Sequence, residues 1–101
     1  MINLIVDPRV VKVIKRLPLV DRKKAVEYIE LFQEYGFGLN EMYLKKIANN
    51  LWELRPRSIR LFLTRIKSSH IVIYIMRKKS QRITKATLEV VNQRLKEYGN
   101  G

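Results

Sequence analysis

The hydrophobic period of this chain changes once, near its middle, and that change limits the possible folds more than any other feature. Up to Gly36, apolar residues recur at steps of three and four: Val10, Val11, Ile14 and Leu17, then Ala25, Tyr28, Ile29 and Phe32. Such steps return to one face of a helix with 3.6 residues per turn. From Leu51 onward the spacing becomes alternation, in Leu51 to Arg55, Ile59 to Ile66 and Ile71 to Lys78. A period of two belongs to strands. Helices followed by a run of strands imply an α+β fold.

Punctuation residues set the boundaries. Ile2 to Val6 is a short, β-branched apolar run and reads as a strand. Asp7-Pro8 reads as an N-cap followed by proline at the first helical position. Pro18 ends that helix, Asp21 caps the next and Gly36 stops it. Two helices joined so closely form an antiparallel hairpin. Gly36 to Asn40 reads as loop, Met42 to Ile47 as one or two helical turns, and Asn49-Asn50 as a turn. Pro56 and Ser58, then Lys67 to Ser69, make short connections, so the three later strands form an antiparallel meander. Thr84 caps a last helix. Leu88, Val91, Leu95 and Tyr98 share one face of it, and Gly99 closes it. The expected order is β-α-α-β-β-β-α, in one domain over residues 1–101. A small, mostly antiparallel sheet carries the hairpin and the C-terminal helix on one face.

Charge narrows the partners. Lys plus Arg number 21 against 9 Asp plus Glu, a net charge of +12. Self-repulsion of that size is relieved by nucleic acid, an anionic membrane or an acidic protein. The plainer reading is solubility alone. The absence of cysteine excludes disulfides, thiolate metal sites and thiol nucleophiles, and the single His70 is too little for an all-histidine metal site. No apolar run approaches the roughly 20 residues of a membrane span. Met1 to Val6 is too short for the core of a signal peptide. A cytoplasmic protein with no membrane partner, metal or small-molecule cofactor is expected.

Alternation assigns strand residues to faces. Trp52 and Leu54, then Ile59, Leu61 and Leu63, then Ile71, Ile73 and Ile75 should point toward the helices. The opposite face then carries Arg55, Arg60, Tyr74 and Lys78, with Phe62 and Val72 among them. Cations interleaved with rings suit RNA, because guanidinium forks pair with phosphate oxygens and rings stack on unpaired bases. A solvated sheet face that merely resists aggregation fits the same pattern equally well. His70 reads as a surface turn residue, Trp52 as core, and Arg22-Lys23-Lys24 as a solvated helix face. There is no phosphate-binding glycine loop and no nucleophile motif.

These residues also resemble a known family. Leu51-Trp52-Glu53-Leu54-Arg55, then Arg60, then Arg77-Lys78-Lys79-Ser80-Gln81, then Arg94-Leu95-Lys96-Glu97-Tyr98 are similar to the HigB-like branch of the RelE/ParE toxin superfamily. Leu17-Pro18-Leu19-Val20-Asp21-Arg22 fits the bend of that family's helical hairpin. The resemblance implies the toxin of a type II toxin–antitoxin system: a ribosome-dependent, metal-independent mRNA endoribonuclease that inhibits translation. Its partners would be a cognate antitoxin, mRNA and the ribosome. Residue by residue, Arg55, Arg60, Arg77 and Lys79 match the family's basic site, with Lys78 beside them. Arg60 and Arg77 would stabilise the charge that develops when a ribose 2′-hydroxyl attacks the adjacent phosphate. Lys78 or Lys79 would hold the backbone or protonate the leaving oxygen. Tyr74 and Tyr98 are the candidate proton acceptors, and Tyr98 joins the RNA-binding set. Tyr74 stands where many members have histidine, and Ile75 where they have glycine. Arg82-Ile83-Thr84 replaces a proline-containing start of the last helix. Two alternatives share these features: a ParE-like topoisomerase poison of the same fold, and a non-enzymatic basic RNA- or DNA-binding module.

Overall fold

The computed structural model describes residues 1–78 and 83–99. Asp7 caps the first helix by accepting a 2.8 Å hydrogen bond from the Arg9 amide, and Pro8 occupies the first turn. This helix, α1 (Pro8–Arg16), buries Val10 and Ile14, four residues apart on one face. Pro18 interrupts the ladder, and α2 (Leu19–Tyr35) starts directly after it. Asp21 is therefore inside the first turn of α2 and caps nothing. Its carboxylate instead meets Arg57 and Arg77. At the end of α2, Gly36 has φ +56°, and a Cβ there would run into the side chain of Ile2. Both facts require glycine.

One five-stranded sheet holds the rest, in the order β1-β5-β4-β3-β2. β1 (Leu4–Val6) lies parallel to β5 (Ser69–Arg77), and the remaining pairs, among β2 (Leu44–Ala48), β3 (Leu51–Leu54), β4 (Ile59–Ile66) and β5, are antiparallel. The α+β class, the meander, the hairpin and the final helix α3 (Lys85–Glu97) agree with the expectation from sequence. Thr84 caps α3 by accepting from the Thr87 amide at 3.1 Å. Leu88, assigned to the apolar face of α3, is exposed.

Two expectations fail. The stretch Met42 to Ile47 is not helical: its second half opens β2, which pairs with β3 across the Asn49-Asn50 turn. Leu44 and Ile47 sit at a spacing that suits a helix. The outer edge of β3, however, has amides and carbonyls that need partners, and that need prevails. Second, helices cover both faces of the sheet. The α1–α2 hairpin packs on Leu54, Ile59, Leu61, Leu63, Val72 and Ile75. α3 packs on the other face, where Val91 meets Leu51, Phe62, Ile71 and Ile73.

The reason is a bulge in β5. Phe62 pairs with Tyr74, but Leu63 pairs with Val72, so Ile73 is an extra residue. An inserted residue reverses the alternation beyond it. Ile71 and Ile73 thus join the α3 side while Ile75 stays on the hairpin side, and Val72 changes face in the opposite direction.

Candidate nucleic-acid interface

The α3 side of the sheet carries charge where β3 and β4 meet. Glu53 lies opposite Phe62 in the ladder, and Arg55 and Arg60 follow the same phase. Glu53 is 7% exposed, with Oε1 3.4 Å from Nε of Arg55 and 3.9 Å from Nε of Arg60. Arg60 is 8% exposed and holds its own turn together. One of its terminal nitrogens donates to the carbonyls of Ile59 at 2.7 Å and Arg57 at 2.8 Å, while its Nε has no hydrogen-bond partner among the described residues. Burial pulls the Arg60 pKa down; Glu53 opposes that pull, and the like charge of Arg55 adds to it. Arg55 is more open and reaches the carbonyl of Glu41 at 3.2 Å.

Across the sheet, Tyr74 lies beside Phe62, with ring centroids 6.1 Å apart. The Arg94 guanidinium from α3 sits 5.1 Å from the centre of the Tyr74 ring and donates to the carbonyl of Ile73 at 2.7 Å. Ile73 is the bulge residue, so Arg94 uses a carbonyl at the point where the ladder is irregular.

Of the residues expected from sequence, the structure clusters Arg55 and Arg60 around Glu53 and puts Tyr74 on the same sheet face. It separates two others. Arg77 lies opposite Ile59 and turns to the hairpin side, 3.4 Å from Asp21, whose other oxygen is 3.3 Å from Nε of Arg57. The Tyr98 hydroxyl donates to Asp7 at 2.6 Å, and burial together with that bond raises its pKa. Tyr98 also lines a hollow with Ile66, Lys67, Ser68 and Ser69, at the end of β4 away from Arg60. Lys78 is half-buried at the end of β5, its amide bonded to Ser58. Lys79 lies outside the described residues.

Glu53 and Arg94 belong to this face although neither is among the residues expected from sequence. Glu53 was legible in part, since it shares the phase of Arg55. Arg94 is four residues before Tyr98 and three after Val91, on the flank of the apolar stripe of α3. His70 was misread as a turn residue. It stands in β5, its ring 5.6 Å from Phe32 and 5.4 Å from Phe37. Trp52 packs against the hairpin-side core, as expected. Lys24, from the basic run on α2, is paired with Glu27 at 3.0 Å on the surface.

The α3 side of the sheet carries donors and a ring. Arg55 and Arg94 offer donors, Tyr74 offers the ring, and buried Arg60 adds positive potential behind them. Among the described residues no group of three His, Cys, Asp or Glu side chains is placed to hold a metal ion. No described helix is long and apolar enough to cross a membrane.

No curated protein matches the chain. Residues 12–96, most of the sequence, match the family described as phage derived protein Gp49-like (DUF891). The chain therefore belongs to the Gp49-like family of phage-derived proteins, toxin–antitoxin toxins related to RelE and HigB, and membership implies an antitoxin partner.

Proposed function

We propose that this protein is the toxin of a type II pair and that it cuts mRNA on the ribosome, in the cytoplasm. The observation that carries the reading is the placement of Arg55 and Arg60, and of Tyr74 with Arg94, on one sheet face of a chain with net charge +12. In the reaction, the 2′-oxygen of one ribose forms a bond to the adjacent phosphorus and the bond to the 5′-oxygen breaks. A 2′,3′-cyclic phosphate and a 5′-hydroxyl result. Arg55 and Arg94 hold the non-bridging oxygens as their charge grows, and Arg60 lends its field from behind. Tyr74 orients the 2′-hydroxyl, whose proton passes to water as the bond to phosphorus forms, and Lys78 or Lys79 gives one proton to the leaving 5′-oxygen. The ribosome supplies the positioning of the message that so sparse a constellation needs. Arg77 falls outside this set, because it is tied to Asp21 on the other face. The antitoxin neutralises the same cations with acidic side chains.

Primer extension on a reporter mRNA after brief induction tests this, with Arg94→Gln and Tyr74→Phe alongside. New 5′ ends inside translated codons, lost in the variants, are expected. Intact message with arrested growth would point instead to a topoisomerase poison. Intact message with normal growth would point to a binding module without catalysis.

A further inference from the structure

On the hairpin side of the sheet, where the β2–β3 turn meets the end of β4, lies a hollow of about 340 Å³, within the size range of ligand sites. Lys46, Asn49, Asn50, Trp52, Arg65 and Lys67 line it: three cations and no carboxylate. We propose that this hollow binds one unpaired nucleotide of a single-stranded RNA. The base stacks on Trp52, and the neighbouring phosphates are held by Lys46, Arg65 and Lys67. The site is separate from the cluster around Tyr74, which faces the other way. Only the choice of RNA over DNA rests on the proposed function.

Three features argue for it. The Nζ of Lys46 is 5.8 Å from the centre of the Trp52 ring, so a cation already occupies a π face that a base would take. The ring is held from another side by Phe37, 4.7 Å away, which keeps the platform in place. The rim is built in advance. Asn50, at φ +56°, donates from its side chain to the Arg65 carbonyl at 3.1 Å and accepts from the Arg65 amide at 3.2 Å, while the Thr64 hydroxyl donates to the Asn50 carbonyl at 2.6 Å. A preformed site loses little entropy on binding. Protecting a sheet edge needs exposed lysines, but it does not need Lys46 over the Trp52 ring, Arg65 5.8 Å from the centre of the adjoining Phe37 ring, and no carboxylate in the lining.

Trp52 is the only tryptophan, so its fluorescence reports on this site alone. The purified full chain is titrated with a 2′-O-methyl oligoribonucleotide of about eight nucleotides, a length typical of single-strand sites. The 2′-O-methyl group blocks cleavage, so binding is read apart from catalysis. A saturable change in Trp52 emission is expected, with none from inorganic polyphosphate. By anisotropy of a labelled oligonucleotide, the Lys46→Gln, Lys67→Gln double variant should bind roughly tenfold more weakly. Its slope of log affinity against log salt should fall by about 1.4, the value for two lost phosphate contacts on a single strand. Both lysines are exposed, so its unfolding midpoint should match the parent's. No change in Trp52 emission, an equal change with polyphosphate, or an unaltered double variant would overturn the site. Message cleavage without binding here would sink this site and leave the proposed function standing. Binding here without cleavage would do the reverse.

Discussion

The Tyr98 hydroxyl donates a 2.6 Å hydrogen bond to Oδ2 of Asp7, joining the end of α3 to the cap of α1. Asp7 is 1% exposed, yet fully satisfied: Oδ1 accepts from the amide and Nε of Arg9 at 2.8 and 3.0 Å, and Oδ2 also accepts from the Arg9 guanidinium at 2.7 Å. The same guanidinium continues to Glu97 at 2.7 Å. One carboxylate thus closes both ends of the chain onto β5, whose Val72 carbonyl accepts from the Asp7 amide at 2.9 Å.

Replacing Tyr98 with Phe should cost about 1–2 kcal/mol, because a buried carboxylate loses a donor. The measurement is the urea midpoint, with the slope unchanged. The hydrogen bonds from Arg9, above all, hold the Asp7 carboxyl well below the usual carboxylate range. A depressed acid contributes stability that is full above its unfolded pKa, about 3.9, and is lost as pH falls toward the folded value. Tyr98, raised above 10.0, contributes stability that is full below pH 10.0 and is lost as pH rises through its folded value. The Phe variant should lose the alkaline limb and show a shallower acid limb. Unchanged limbs would mean that this bond does not couple the two termini.

Gly36→Ala should destabilise by about 2 kcal/mol or more, since alanine is strained at φ +56° and its Cβ meets Ile2. Pairing it with Ile2→Ala should recover only the steric part of the loss. Full recovery would mean that the backbone conformation carries no cost.

Arg60→Ala should lower stability by roughly 3 kcal/mol, because it leaves Glu53 less compensated and frees two carbonyls of the β3–β4 turn. Loss of cleavage in that variant would therefore not assign Arg60 to the chemistry. Arg94→Gln is the cleaner test. It should reduce cleavage about 100-fold, as for removal of one oxyanion donor, while the unfolding midpoint moves by only a few degrees. Wild-type cleavage by a folded Arg94→Gln protein would remove Arg94 from the site.

Neither ring nitrogen of His70 has a hydrogen-bond partner among the described residues. Burial, then the charge of Arg65, push its pKa below 6.5, against a weaker pull from the Asn3 backbone. The neutral form is the folded form. Its stabilising effect is full above pH 6.5 and is lost as pH falls through the folded value. His70→Phe should remove that loss, so its stability should fall less than the parent's as pH drops below 6.5. An unchanged pH profile in thermal unfolding would show that the ring is already solvated.

By itself the sequence determined the α+β class, the helical hairpin, the meander and the caps at Asp7 and Thr84. These depend on spacing and on local backbone chemistry, which neighbouring residues settle among themselves. It also placed Arg55, Arg60 and Tyr74 in one phase, because those residues lie on the near side of the bulge. Tertiary structure alone decided the rest. One extra residue in β5 moved Ile71 and Ile73 to the face that α3 covers, and alternation cannot detect an inserted residue without the partner strand. The free edge of β3 drew Leu44 to Ala48 into a strand that their spacing left open. Arg77 shares the phase of Ile75, and Asp21 pairs it there with Arg57; Asp7 took Tyr98. A buried carboxylate recruits the nearest cation or hydroxyl in space, and nearness in space is what a linear pattern does not contain.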